Sequence, residues 1–394
     1  MKRSNQDPAT QRGLPRRICW KALVAAALSL LPGASQAEYV VGVFTPLTGP
    51  HALIGNSMRN GVVLALETAE DAGKFGDVRL SIRTLDDSGA PKAVAERVAK
   101  FVKEEQAILV IGPAVSAPAE AAADLANHAK FPLLAPGASE GINTTGKWAF
   151  RLTMSPYKTI QALAARALAD TPRARVALVY AKGNAGFASQ AAEFRAAALR
   201  SGATIATELA IAIDTDFIAS TSSAIRESGA TLVFFSMDAE PAAALARSIA
   251  EGAASGTTRA KFVFAPAAAQ PALTRIGGPA LEGALTAADY LPETPGAANE
   301  QFRIAYRNRF GIEADTWAGT GFAAGQLAAE AVRNAGPAPG PDTIRLALER
   351  VNDVTLLVGA GNWKQDALRN PQYAPRFFVV REGRLSAADE ALKR

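Results

Sequence analysis

Gly137-Ala138-Ser139-Glu140-Gly141 has the G-x-S-x-G spacing that, on a strand-to-helix turn, exposes a nucleophilic serine. An apolar run, residues 131–135, precedes it. The other requirements are missing. Residues 142–146 are a poor helix start, and the two histidines, His51 and His128, lie upstream of the serine. An exported serine hydrolase using Ser139 is therefore the minor reading. Two distant histidines and the single thiol of Cys19 cannot form a nitrogen–sulfur metal site. Asp214 and Asp216 lack the glycine and distal glutamate of a calcium loop, and Asp216 reads as a helix cap. Asp86-Asp87 reads as a solvated strand end rather than a catalytic carboxylate pair. No phosphate-loop or dinucleotide fingerprint is present. The expectation is a protein with no metal, no cofactor and no catalytic residue.

A second serine suggests binding. Residues 108–111 and 131–135 read as buried strands flanking one amphipathic helix over about 117–130. In a strand–helix–strand unit, ligands lie beyond the carboxyl ends of the strands. Ser116 falls there, at a helix start whose free N–H groups suit a carboxylate. The competing role for Ser116 is a simple helix cap. His51 falls in a loop by the first strand, and His128 late in the helix.

The first 37 residues read as a cleaved secretory leader. Six basic residues precede a ten-residue apolar core, 22–31, and Ser35-Gln36-Ala37 is a small-residue cleavage site. Arg16-Arg17 hints at twin-arginine export, but the residues after that pair suit the general route better. Without the leader's six basic residues and Asp7, the chain's 42 basic and 37 acidic residues become 36 of each. A neutral mature chain gives no electrostatic case for nucleic acid. Cys19 leaves with the leader, so the core must stabilise the exported chain without a disulfide.

From Tyr39 onward, strand and helix patterns alternate, which implies parallel sheets covered by helices. The expected fold is α/β: two doubly wound parallel-sheet lobes joined by a hinge that the chain crosses several times. The expected division is 38–155 with 286–350 as lobe 1, 156–285 with 351–385 as lobe 2, and 386–394 as a polar tail. Residues 284–288 read as a return to lobe 1, and residues 351–358 as the last crossing. Hinged lobes close on a ligand held between them.

The chain resembles the periplasmic solute-binding proteins of the leucine/isoleucine/valine type, which serve ABC importers and have the type I periplasmic binding fold. The likeness rests on Val41-Gly42-Val43 with Leu47-Thr48-Gly49-Pro50, on the Asp86-Asp87 strand end, and on Val110-Ile111-Gly112-Pro113 with Ser116. It continues in Ala135-Pro136-Gly137-Ala138-Ser139, Asp216-Phe217 and Gly321-Phe322. The resemblance implies that Ser116 holds a ligand carboxylate, that Gly137 offers a carbonyl to an α-amino group, and that Ser139 contacts both. Two positions depart from the pattern. The acid that pairs with the ligand ammonium falls near Ala267, and the usual aromatic residue of the second-lobe loop is Ala185, with Phe187 close by. Alanine cannot pair a buried ammonium. Asp238, at a strand end, either replaces that acid or caps the next helix. The resemblance thus implies a periplasmic receptor for a branched-chain amino acid or related small carboxylate. Its partners would be an inner-membrane ABC permease and a cytoplasmic ATPase. A ligand sensor of the same fold is the alternative.

Overall fold

The first strand, β1 (Glu38–Thr45), is an interior strand of a parallel sheet, with apolar side chains on both of its faces. Val41 and Val43 enter one core cluster and Phe44 the opposite one. The computed structural model describes residues 38–388 apart from 50, 88–90, 115, 138–139, 145, 172, 215 and 253–259. The expected leader and Ser139 lie outside the described residues.

The first sheet has the order β2-β1-β3-β4-β5, with β2 at Arg79–Asp86, β3 at Leu109–Ile111, β4 at Leu133–Ala135 and β5 at Ala149–Arg151. All its pairings are parallel. Side chains alternate across it: Leu109 and Ile111 face one core and Val110 the other. Such double burial explains why β3 and β4 read as continuous apolar runs. The second sheet has the order β14-β13-β10-β9-β8-β6-β7. Its parallel part is β6 (Arg175–Ala181), β7 (Thr204–Ile211), β8 (Leu232–Ser236), β9 (Lys261–Phe264) and β10 (Leu285–Ala288). Antiparallel β13 (Arg376–Arg381) and β14 (Arg384–Ala387) complete one edge. It too separates two cores, with Val233 and Phe235 on one face and Leu232 and Phe234 on the other.

The helices that bound the first lobe meet closely. Helix α1 (Ala52–Asp71) packs against a late helix over Thr316–Ala335. A Cβ on Gly61 would lie 2.1 Å from the Ala318 carbonyl oxygen, and one on Gly321 would lie 2.1 Å from that of Met58. Glycine lets the two backbones touch, which returns the late segment to the first lobe.

Several boundaries differ from the sequence reading. Strand β10, expected to return to lobe 1, is a member of the second sheet. Residues 351–358, expected to cross into lobe 2, pack in the first core through Val351, Leu356, Leu357 and Val358. A hairpin of β11 (Ala360–Gln365) and β12 (Pro371–Ala374) joins them there through Trp363 and Tyr373. The last crossing is therefore the junction of β12 and β13, and the second lies just after β10. Periodicity alone did not separate these short strands. Residues 384–387, read in part as tail, pair with β13. Among the described residues, no helix is long and apolar enough to cross a membrane.

Candidate functional site

Loops at the carboxyl ends of β1, β3 and β4 form one wall of the candidate site. Asp86, at the end of β2, fixes the first of these loops. One carboxylate oxygen accepts from the Leu47 N–H at 2.8 Å, and the other from the Thr48 hydroxyl at 2.5 Å. This gives Asp86 a bonding role that a solvated strand end lacks, and its neighbour Asp87 is buried. Asn56 Nδ2 donates to the Ala52 carbonyl at 2.7 Å and holds the start of α1. His51 is exposed at the N-cap position of α1 and makes no capping bond with its side chain. His128 is exposed late in its helix.

The second loop leaves β3 at Gly112, where φ is +106° and a Cβ would lie 1.9 Å from the Phe44 carbonyl oxygen. Only glycine permits that approach. Ser116 then opens the helix Ser116–Ala129, α3, at the predicted place. The Ser116 side chain is not among the described groups. Gly137, in the third loop, is half-buried, and the Thr153 hydroxyl donates to the Pro136 carbonyl beside it at 3.2 Å. Beyond this loop the chain forms a 3-10 turn, Glu140–Asn143, not the α-helix that a nucleophile elbow needs.

The opposite wall comes from the ends of β6, β8 and β9. Asn184 caps a helix over Ala185–Arg200, α5: its side-chain oxygen accepts from the N–H groups of Gly186 at 2.9 Å and Phe187 at 3.3 Å. Sequence reasoning passed over Asn184, although an asparagine before a small-residue helix start is a recognisable cap. Ala185 is exposed at this helix start. Phe187 instead packs in the second core, and its carbonyl accepts from the Ser236 hydroxyl at 2.9 Å.

Asp238 lies at the N-cap position of the helix Ala239–Glu251, α7. Its side chain makes no capping bond, and among the described residues it has no ion pair, so an exposed carboxylate stands free at the strand end. Ala267 is half-buried in a 3-10 turn, Pro266–Ala268, after β9. Asp216 caps by position alone: its side chain makes no capping bond, while its N–H donates to Asp214 Oδ1 at 3.2 Å.

Among the described residues, no hydrogen bond or ion pair joins 182–187, 237–240 or 265–270 to the first wall. No cluster of three or more metal-ligating side chains occurs among them either. A surface cavity of about 370 Å³ lies elsewhere, beside α1 and the late helix, and is lined by Thr68, Lys74, Gln326, Glu330 and Arg333.

The bonded hinge was not legible in the sequence. Tyr373, in β12, takes a hydrogen bond from the Met154 N–H at 2.7 Å and donates one to Asp289 Oδ1 at 2.7 Å. Buried Arg151 donates to Asn370 at 3.2 Å. Arg369 donates to the carbonyls of Asn143, Gly146 and Ala149, which ties the hairpin tip to the segment after Gly137. Burial pushes the Asp289 carboxyl up to about 6, against the opposing effects of the Tyr373 hydrogen bond and the Arg151 charge.

Comparison with known proteins agrees with this architecture. A family model described as periplasmic binding protein matches residues 38–381. Leu/Ile/Val-binding protein homolog 1 of Brucella abortus is 28% identical over 89 residues, 23% of this chain and 24% of its own length. An amino acid binding protein of Pseudomonas aeruginosa is 26% identical over 129 residues, 32% of this chain and 34% of its own. The alignments thus span a quarter to a third of these relatives. Among solved structures, a solute binding protein of an ABC transporter from R. palustris, in complex with benzoate, has a TM-score of 0.72 at 20% identity. It covers 89% of this chain and 96% of its own. The branched-chain amino acid transporter substrate binding protein LivJ of Streptococcus pneumoniae, in complex with isoleucine, has a TM-score of 0.73 at 16% identity. It covers 89% of this chain and 99% of its own. At these identities the structural likeness establishes the fold.

Proposed function

The chain belongs to the periplasmic binding proteins of the leucine/isoleucine/valine-binding family, and from that premise we propose that it captures a small carboxylate between its two lobes for an ABC importer. The observation that carries this reading is the start of α3 at the carboxyl end of β3, brought up against β1 at Gly112. Its unpaired N–H groups and positive dipole end suit a carboxylate, and Ser116 adds a hydroxyl donor. Gly137 stands on the neighbouring loop, and Ser139, two positions further in the sequence, would contact the ligand beside it. Ala185, Phe187 and Asp238 belong to the facing side, with Phe187 acting from behind the loop.

The ligand class depends on the amine. Ala267 offers no acid, whereas Asp238 is exposed and uncommitted. An α-amino acid would use Asp238 as its counter-ion, and a carboxylate without an amine would leave it in water. The R. palustris relative in complex with benzoate and the LivJ protein in complex with isoleucine give the fold precedents of both kinds. After export and removal of residues 1–37, the protein would close on its ligand and dock on a membrane permease driven by a separate ATPase.

The test is a thermal-shift screen of the mature protein after partial unfolding has stripped any bound ligand. The panel holds branched-chain amino acids, their 2-oxo analogues, and aliphatic and aromatic carboxylates. A ligand that binds only the native state raises the melting temperature by mass action. The expected hit carries a carboxylate and loses at least about tenfold in affinity with Ser116→Ala, the size of one charge-assisted hydrogen bond. No shift from any carboxylate, or unchanged affinity in that variant, refutes the assignment.

A further inference from the structure

We propose that the Tyr373 hydroxyl is a proton-sensitive latch that holds the hinge in the arrangement seen here, so that losing the latch favours approach of the two lobes.

The geometry singles out one hydroxyl. Met154 is on the first crossing, Asp289 on the second and Tyr373 at the third, and the single phenol oxygen bonds to both of the others at 2.7 Å. The Gly359 N–H donates to the Asp289 carbonyl at 2.7 Å, and a Cβ on Gly359 would lie 2.3 Å from the Tyr373 ring. The ring is therefore seated against backbone, and its hydroxyl has little freedom to find other partners. In the same arrangement the two walls of the cleft share no hydrogen bond or ion pair among the described residues. The latch is thus closed in an arrangement where the described residues of the two walls share no bond. Rotation of one lobe on the other must pass through these crossings, which the latch resists.

Charge decides its strength. The groups facing Asp289 are the Tyr373 phenol from β12 and the Arg151 guanidinium from β5. Arg376 of β13 stands in register with the adjacent Ala288. On its own segment, the Tyr290 hydroxyl is engaged with Asn299 at 2.8 Å. The phenol stays protonated because burial and the nearby carboxylate raise it well above its ordinary value, so it remains a donor. An ionised Asp289 accepts from it about twice as strongly as a neutral one. The Asp289 carboxyl titrates at about 6, so the latch is tight above that pH and slack below it. Ligand affinity would change with it, because a receptor held out of its binding conformation binds more weakly.

The inference rests on the proposed cleft only for that last consequence, so its test uses no ligand. The mature chain has no cysteine after Cys19 is removed, which allows paired spin labels at Leu53→Cys and Ile213→Cys. Both positions are exposed; Leu53 lies in the first turn of α1 in the first lobe and Ile213 just past the end of β7 in the second. Pulsed electron resonance would record their separation at about pH 5 and about pH 7.5, on either side of the Asp289 titration. The expected result is that acid raises the population of shorter separations by at least about fivefold. Tyr373→Phe, which keeps the seated ring, shows the shorter population at both pH values. Asp289→Asn, which keeps an acceptor, loses the pH step. Identical distributions at both pH values, a longer separation in acid, or a pH step that survives Tyr373→Phe overturns the latch. Failure of every ligand in the thermal screen would leave it standing.

Discussion

Asp289 provides a quantitative test because its environment pushes in opposing directions. Burial disfavours the carboxylate, while Tyr373 and Arg151 favour it, and burial prevails to place the carboxyl at about 6 instead of its ordinary 3.8. The native protein then holds this proton to a higher pH than the unfolded chain does. The stability from this group is greatest below about pH 4, falls as pH rises to about 6, and is constant above that. A carboxyl raised by about two pH units makes ionisation harder by roughly 3 kcal/mol in the native state. Part of Asp289 reaches solvent, so roughly 3 kcal/mol is an upper figure and about 1.5 kcal/mol a realistic lower one. The perturbation is Asp289→Asn, which keeps the shape and an oxygen acceptor but cannot titrate. Urea unfolding of both proteins at several pH values gives the stability difference, provided their slopes agree. Wild type should lose about 1.5–3 kcal/mol relative to the variant between about pH 4 and about pH 7. A flat difference would refute the reasoning, and so would a wild type that gains with pH. The latter outcome would mean that Arg151 outweighs burial.

Two further outcomes test the framework around the site. Gly321→Ala gains about 1 kcal/mol of helix propensity but drives a methyl onto the Met58 backbone at 2.1 Å, so a net loss of about 2 kcal/mol is expected in urea unfolding. A midpoint equal to or above wild type would contradict the close approach of the two helices. Asp86→Ala removes the acceptors of the Leu47 N–H and the Thr48 hydroxyl. Hydrogen exchange at Leu47 should quicken by at least about tenfold with little change at the sheet centre; unchanged protection there would refute the anchoring role.

Most of the α/β framework was legible because both sheets are doubly covered. Where each face meets a core, a strand is a short apolar run between turns, and the helices between runs carry their own period. The strands expected at 108–111 and 131–135 contain Leu109–Ile111 and Leu133–Ala135, and the helix expected over about 117–130 spans Ser116–Ala129, for this reason. The failures share a cause. β5 and β10 have only three or four residues, too few for a period to distinguish sheet membership. The hairpin Ala360–Ala374 is polar at Asn362, Lys364 and Gln372 and relies on Trp363 and Tyr373 for its hold on the first core. A pattern of alternating polarity can mark an edge strand, but not which lobe it joins.

The site divides along the same line between local and distant information. The proposed carboxylate half is written in short stretches, because a helix start, a close-approach glycine and a serine sit within a few residues of one another at 112–116. The second wall was partly visible too: Asp238 was placed at a strand end, but whether it spent its charge on capping depended on backbone angles that the sequence does not express. The hinge was invisible, since Met154, Asp289 and Tyr373 are more than eighty residues apart in successive steps and none belongs to a periodic pattern. Yet these residues carry a physical conflict that the walls do not. A partly buried carboxylate between a phenol and an arginine is held by two favourable contacts against its own desolvation, so small changes in proton activity alter its bonding. Placing that balance at the crossings, away from the ligand, lets the proposed receptor adjust lobe approach without altering the groups that would recognise a carboxylate.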